Sequence, residues 1–209
     1  MSTNSFDDRA ATWDDDPAKV EHVGAVAGSI REAIPLDPSM RMLEYGAGTG
    51  LVTQALRESV GPVTLVDTSK GMRAVIQDKI DAGAITDARV WDLDLATQPA
   101  PDERFDLIVT VLALHHINNV HPVLERFAEL LERGGHLCAV DLDEEDGSFH
   151  GADFEGHHGF QRSEMSSHLE DVGFTEIAFR DCGDVVRGGG VRYPLFLVTC
   201  MRGVSARES

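Results

Sequence analysis

The sequence predicts an α/β fold: a seven-stranded, mostly parallel sheet with a C-terminal antiparallel hairpin and helices on both faces. Three observations predict it. From Arg41 onward, short apolar runs alternate with stretches of helical periodicity. The run Phe105–Val111 is apolar at nearly every position, as a central parallel strand buried on both faces must be. Two final strand-like runs, 174–179 and 193–201, are separated only by 183–190, too short for a crossover helix, so they must be antiparallel neighbours.

The elements follow in order. Pro17 suits the first turn of a helix with Asp16 as its N-cap, and Val20, Val23, Val26, Ala27 and Ile30 recur at helical spacing. Strand Met42–Tyr45 leads into a helix over 51–58. Strand Val63–Val66 leads into a helix over 70–82. A third strand spans 88–93 and the fourth is Phe105–Val111. A helix over 121–131 is expected to stop at Gly134-Gly135, followed by a strand at 136–141. After an irregular stretch rich in Gly, Asp and His at 142–160, a helix over 163–172 stops at Gly173. The expected organisation is an N-terminal lid segment and helix at 1–35, one domain at 36–203 and a disordered tail at 204–209.

Composition bounds the function. A chain of 209 residues with 42% hydrophobic content suffices for one domain with a sizeable core. The formal net charge of −18 repels phosphate backbones, so nucleic acid is not an expected partner. With neither a membrane-length apolar run nor a signal-peptide pattern, a cytoplasmic protein without a membrane partner is expected. Cys138, Cys182 and Cys200 are widely spaced, have no zinc spacing, and read as buried thiols. Nothing in the sequence fixes an oligomeric state.

The chemistry concentrates between the first two strands. Gly46-Ala47-Gly48-Thr49-Gly50 is a turn where backbone can approach a ligand that a Cβ would exclude. Val63-Thr64-Leu65-Val66-Asp67 then ends in a carboxylate placed to accept both hydroxyls of a ribose. The dinucleotide fingerprint needs one more glycine where this chain has Leu51, and no Gly-Lys-Ser/Thr is present. Glu44, two residues before the first glycine, would repel a pyrophosphate but suits a ligand carrying an ammonium group.

On these residues the chain resembles the class I S-adenosylmethionine-dependent methyltransferases, and among them small-molecule methyltransferase domains similar to quinone-biosynthesis enzymes. That resemblance implies a Rossmann-like sheet, S-adenosylmethionine as cofactor, a small-molecule methyl acceptor and in-line displacement. It implies cofactor contacts from Glu44, Gly46, Ala47, Gly48, Gly50, Asp67, Thr68 and Met72. Asp94, twelve residues before Asp106, would reach the adenine amino group, with Asp92 as the alternative, and the Leu95 N–H would face the ring. Thr110-Val111-Leu112-Ala113-Leu114-His115-His116-Ile117 resembles a segment whose backbone near Val111 and Leu112 lies along the methionine end. Phe6-Asp7-Asp8-Arg9-Ala10-Ala11-Thr12-Trp13-Asp14 resembles a lid, with Trp13 suited to a sulfonium; the alternative is a frayed tail.

Histidines remain. His157 and His158 are candidate general bases for a protonated acceptor. The alternative is a loop that only shapes the acceptor pocket. Adjacent residues on one strand or helix diverge, so His115 and His116 are not expected to share a metal, and the histidines of 150–158 match no ligand spacing. No metal is expected. Two competing functions stay open: a nucleotide-dependent oxidoreductase on a similar sheet, and a non-catalytic cofactor-binding regulator.

Overall fold

A computed structural model describes residues 4–151 and 153–203. The tail expected at 204–209 lies outside them. The chain begins with α1 (Asn4–Asp7), a 3₁₀ turn at Ala10–Asp15 and α2 (Pro17–Ala33). Asp16 caps α2 as expected, accepting from the Ala18 N–H at 3.0 Å. Then follow β1 (Met42–Tyr45), α3 (Leu51–Leu56), β2 (Val63–Val66), α4 (Lys70–Asp81), β3 (Ala88–Trp91), β4 (Phe105–Val111), α5 (His121–Leu130), β5 (Leu131–Leu142), α6 (Arg162–Asp171), β6 (Phe174–Arg187) and β7 (Val191–Arg202).

The seven strands form one sheet in the order β3-β2-β1-β4-β5-β7-β6. β1 to β5 are parallel; β7 pairs antiparallel with both β5 and β6. Alternation along the strands sends side chains to two cores. Met42, Val109 and Leu197 face one, packed under Val26 and Ile30 of α2, Val52 and Leu56 of α3 and Ile76 of α4. Leu43, Ile108 and Val198 face the other, against Leu124 and Phe127 of α5 and Met165 and Leu169 of α6. The central strands are mostly apolar and buried because helices cover both faces. The α2 helix belongs to this core, with Val26, Ala27 and Ile30 all fully buried.

Two boundaries differ from expectation. The α5 helix ends at Leu130 rather than at the glycine pair, and β5 begins at Leu131. Gly134-Gly135 lies inside β5, where the β4–β5 register shifts; a Cβ on Gly135 would stand 2.9 Å from the Glu132 carbonyl oxygen. The terminal hairpin is also longer than expected, because Gly183, at φ +77°, sits at a register shift within β6 rather than ending it. Among the described residues no helix is long and apolar enough to cross a membrane. All three cysteines are free and buried.

Candidate functional site

The first crossover builds the site at the carboxyl edge of β1 and β2. Gly46, Gly48 and Gly50 all have positive φ, at +69°, +55° and +80°. The three glycines answer two different demands. A Cβ on Gly46 would fall 2.4 Å from Ala113 Cβ, and one on Gly50 would press on Leu65 and Ile85, so these two are fixed by packing. At Gly48 the same Cβ would meet only Trp13 Nε1, at 4.0 Å, so its open side is a cradle that a side chain would fill. Ala47 is buried and donates its N–H to the Val66 carbonyl at 2.9 Å, binding the loop to β2.

Asp67 ends β2 beneath this loop. Its Oδ2 accepts the Gly48 N–H and its Oδ1 the Ser69 N–H, both at 2.8 Å. Each oxygen keeps a further lone pair for a ligand hydroxyl. Burial raises the Asp67 pKa, against the pull of those two N–H groups. Glu44 is 2% exposed and accepts from both the backbone N–H and the hydroxyl of Thr53 on α3. Burial pushes it up to about 7, so it is poised to ionise when a cation arrives. Thr68 is exposed beside Asp67, while Met72 is fully buried under the first turn of α4.

On the facing side, β4 ends at half-buried Val111, and Leu112 takes φ +53°. A branched side chain in the left-handed region stores roughly 1–3 kcal/mol of strain. The Leu112 N–H is held by the Val140 carbonyl at 2.8 Å.

The N-terminal segment lies over this crevice. Asp7 accepts from the Ser69 hydroxyl and the Gly71 N–H; Asp14 accepts from Thr49 and pairs with Lys79 at 2.6 Å. Trp13 thus sits above Gly48, and Lys19 Nζ lies 3.8 Å from its ring centroid. A cation already occupies one face of this indole, the face chemistry that suits a sulfonium.

Comparison with known proteins agrees with this geometry. Residues 43–139 match the methyltransferase domain family model. A ubiquinone/menaquinone biosynthesis C-methyltransferase UbiE from Ectopseudomonas mendocina is 28% identical over 50% of this chain and 43% of its own length. An uncharacterized methyltransferase from Anoxybacillus flavithermus is 32% identical over 48% of this chain and 46% of its own. The chain therefore spans less than half the length of these relatives. The N-methyltransferase NodS of Bradyrhizobium japonicum, solved with S-adenosyl-L-homocysteine, superposes with a TM-score of 0.73 at 16% identity, covering 95% of this chain and 97% of NodS. Residues 43–139 thus match a methyltransferase domain, and the fold is shared with solved methyltransferases.

The loop after β3 is held by contacts of its own. Both Asp94 oxygens are engaged locally, accepting from the Ala96 N–H at 2.9 Å and the Thr97 hydroxyl at 3.0 Å. Asp92 pairs with Arg73 at 2.7 Å on the surface. The Leu95 N–H, expected to face the ring, donates to the Tyr45 hydroxyl at 3.2 Å. That phenol is buried edge-on to Phe127, and the loop N–H is the donor within its reach.

His157 and His158 do not join the glycine loop. They line a cavity of about 370 Å³ shared with Val120, Glu145, Met165 and His168, to which no residue of that loop contributes. His157 lies against Phe160, and His158 Nδ1 is 3.4 Å from Glu145.

A second group of histidines gathers just beyond the end of β4. His115 and His116 fall in the 3₁₀ turn Leu114–His116, where their rings converge to a centroid distance of 4.1 Å instead of diverging. His150 comes within 5.1 Å of both. Asp141, fully buried at the end of β5, holds His115 Nδ1 at 2.6 Å and also accepts from the His115 N–H. Burial and the neighbouring imidazoles lower His116 to about 3 and His150 to about 4, so both stay neutral at physiological pH. Asp141, like Asp67, is an acid closing an apolar strand, and that pattern is the signal it carries in the sequence.

Proposed function

We propose that this protein transfers the methyl group of S-adenosylmethionine to a small-molecule acceptor held at the carboxyl edge of the sheet. The observation that carries the reading is the Gly48–Asp67 pair: a bare backbone cradle whose N–H is clasped by the acid that would take the ribose. When bound, the cofactor supplies a methyl already activated on a sulfonium.

The chain's own residues do the rest. Asp67 would accept the ribose hydroxyls on its free lone pairs. Glu44 would draw the amino-acid ammonium, giving up its proton as the cation arrives. Leu112 and Val111 would shape the methionine channel. The lid, pinned by Asp7 and Asp14, would exclude water from the methyl. Catalysis is then largely alignment of an acceptor lone pair behind the methyl carbon, for in-line displacement. The acidic surface favours a small molecule over nucleic acid.

The test is calorimetry with S-adenosylhomocysteine and, separately, with NAD, followed by a labelled-methyl screen against a metabolite extract with product identification by mass. Binding of S-adenosylhomocysteine and a labelled small product support the reading. NAD binding alone overturns it in favour of an oxidoreductase, and cofactor binding with no transfer favours a regulator.

A further inference from the structure

Three imidazoles meet where the end of β4, the loop after β5 and the lid come together. One ring nitrogen from each of His115, His116 and His150 lies within 4.8 Å of the other two. Each ring also carries a buried nitrogen without a hydrogen-bond partner: His115 Nε2, His116 Nδ1 and His150 Nε2. Buried polar atoms left bare are unfavourable, and three in the rings of one cluster call for a partner. Asp141 adds a second, independent indication. It binds His115 Nδ1, which fixes the tautomer and leaves the Nε2 lone pair available. A carboxylate behind a buried imidazole is how a metal-binding histidine is oriented and made more basic.

Aromatic rings wall the cluster on several sides. Phe154 stacks on His150 at 3.9 Å, Phe149 meets it edge-on at 4.7 Å, and Phe6 of the lid stands edge-on to His116 at 5.4 Å. Three nitrogens mutually within 4.8 Å share a point about 2.8 Å from each; zinc–imidazole bonds of about 2.0–2.1 Å need each ring to move in by about 0.7 Å.

We propose that His115, His116 and His150 bind one divalent transition metal of the zinc type, leaving a coordination position open toward the acceptor. Three histidines with an open fourth position is the ligand set of a catalytic rather than a structural zinc. Its role rests on the methyltransferase reading: an acceptor hydroxyl or enol coordinating there loses its proton to water more readily. Its oxygen lone pair then forms the bond to the methyl carbon as the sulfur–carbon bond breaks and the sulfonium becomes a neutral thioether. Arg9, lying over Phe6, and Arg187, over Phe149, place positive charge at the rim, which favours an acceptor that arrives or becomes anionic.

The test uses tag-free protein stripped with a chelator, dialysed, and titrated with zinc chloride and with cobalt chloride, the bound metal being counted by mass spectrometry. One equivalent per chain, with the intense visible spectrum of low-coordinate cobalt, is expected. His150→Gln should lower metal affinity by about 100-fold or more, and Asp141→Asn by about 10–100-fold, with S-adenosylhomocysteine affinity unchanged in both. These two variants carry the test even if His115→Ala fails to fold. A stripped protein that takes up no metal, or a His150→Gln variant that binds like the parent, overturns the proposal. S-adenosylhomocysteine binding without metal uptake sinks this inference and leaves the methyltransferase reading standing; metal uptake without S-adenosylhomocysteine binding does the reverse.

Discussion

Asp67 Oδ2 receives the Gly48 N–H at 2.8 Å, so the acid at the end of β2 holds the shape of the loop that ends β1. One side chain thus orders the cradle and offers its remaining lone pairs to whatever fills it. Asp67→Asn keeps the size but sets an amide donor against one of two N–H groups, Gly48 or Ser69. Hydrogen bonds to a charged partner are worth roughly 1.5–3 kcal/mol each. The variant should bind S-adenosylhomocysteine at least about tenfold more weakly by calorimetry. An affinity within about twofold of the parent would remove the ribose role from Asp67.

Glu44 gives opposite pH trends for stability and binding. Its folded pKa of about 7 stands above the ordinary 4.5 because burial disfavours the carboxylate. Between those values the folded chain holds a proton that the unfolded chain has released. Glu44 therefore contributes stability below about pH 4.5, and that contribution is lost as pH rises to about 7. A ligand ammonium wants the ionised form, so affinity should rise over the same window, by about eightfold from pH 6 to 7.5 if this group alone titrates. Melting curves and calorimetry across pH check both trends. Glu44→Gln should flatten the two together; a variant that keeps either slope assigns it to another group.

Tyr45 stands between the core and the loop after β3. Its hydroxyl accepts the Leu95 N–H, the donor that the family resemblance assigns to the adenine ring. Tyr45→Phe strands that buried N–H at a penalty of roughly 1–3 kcal/mol in the free protein. If adenine takes the N–H instead, the loss should shrink at saturating S-adenosylhomocysteine. Denaturant unfolding with and without ligand measures it. An equal loss in both conditions would mean that the Leu95 N–H never meets the ring.

What could be read in the sequence follows from how local each signal is. Met42–Tyr45, the glycine loop and Val63–Asp67 sit in one contiguous stretch whose apolar runs and glycines have few other uses, and the structure has them where they were expected. Gly134-Gly135 misled because a glycine pair marks a bulge as readily as a helix end, and only the pairing of Leu131 with Phe105 decides between them. The partner of the Leu95 N–H could not be read for a different reason: the Tyr45 hydroxyl that takes it lies fifty positions away along the chain. The histidine cluster was illegible for the same reason. His116 and His150 are far apart in sequence, and the tight turn that folds the His115 ring onto that of His116 leaves no periodicity.

Gly71 separates the lid from the fold. It is the second residue of α4, and a Cβ there would stand 2.8 Å from Asp7 Cα and 2.9 Å from the Asp7 carbonyl oxygen. Both are backbone atoms, so the lid itself must retreat. Within the helix, alanine is favoured over glycine by up to about 1 kcal/mol. Gly71→Ala should therefore leave the melting temperature level or slightly raised while displacing Asp7 from its contacts with Ser69 and the Gly71 N–H. With the lid lifted, Trp13 no longer covers Gly48. Dissociation of S-adenosylhomocysteine, followed by stopped-flow fluorescence, should then quicken, and proteolysis within the first sixteen residues should accelerate. Faster release with an unchanged melting temperature identifies the segment as a cover that closes over the bound ligand. An unchanged release rate together with faster proteolysis would show the segment to be attached to α4 but irrelevant to what the crevice holds.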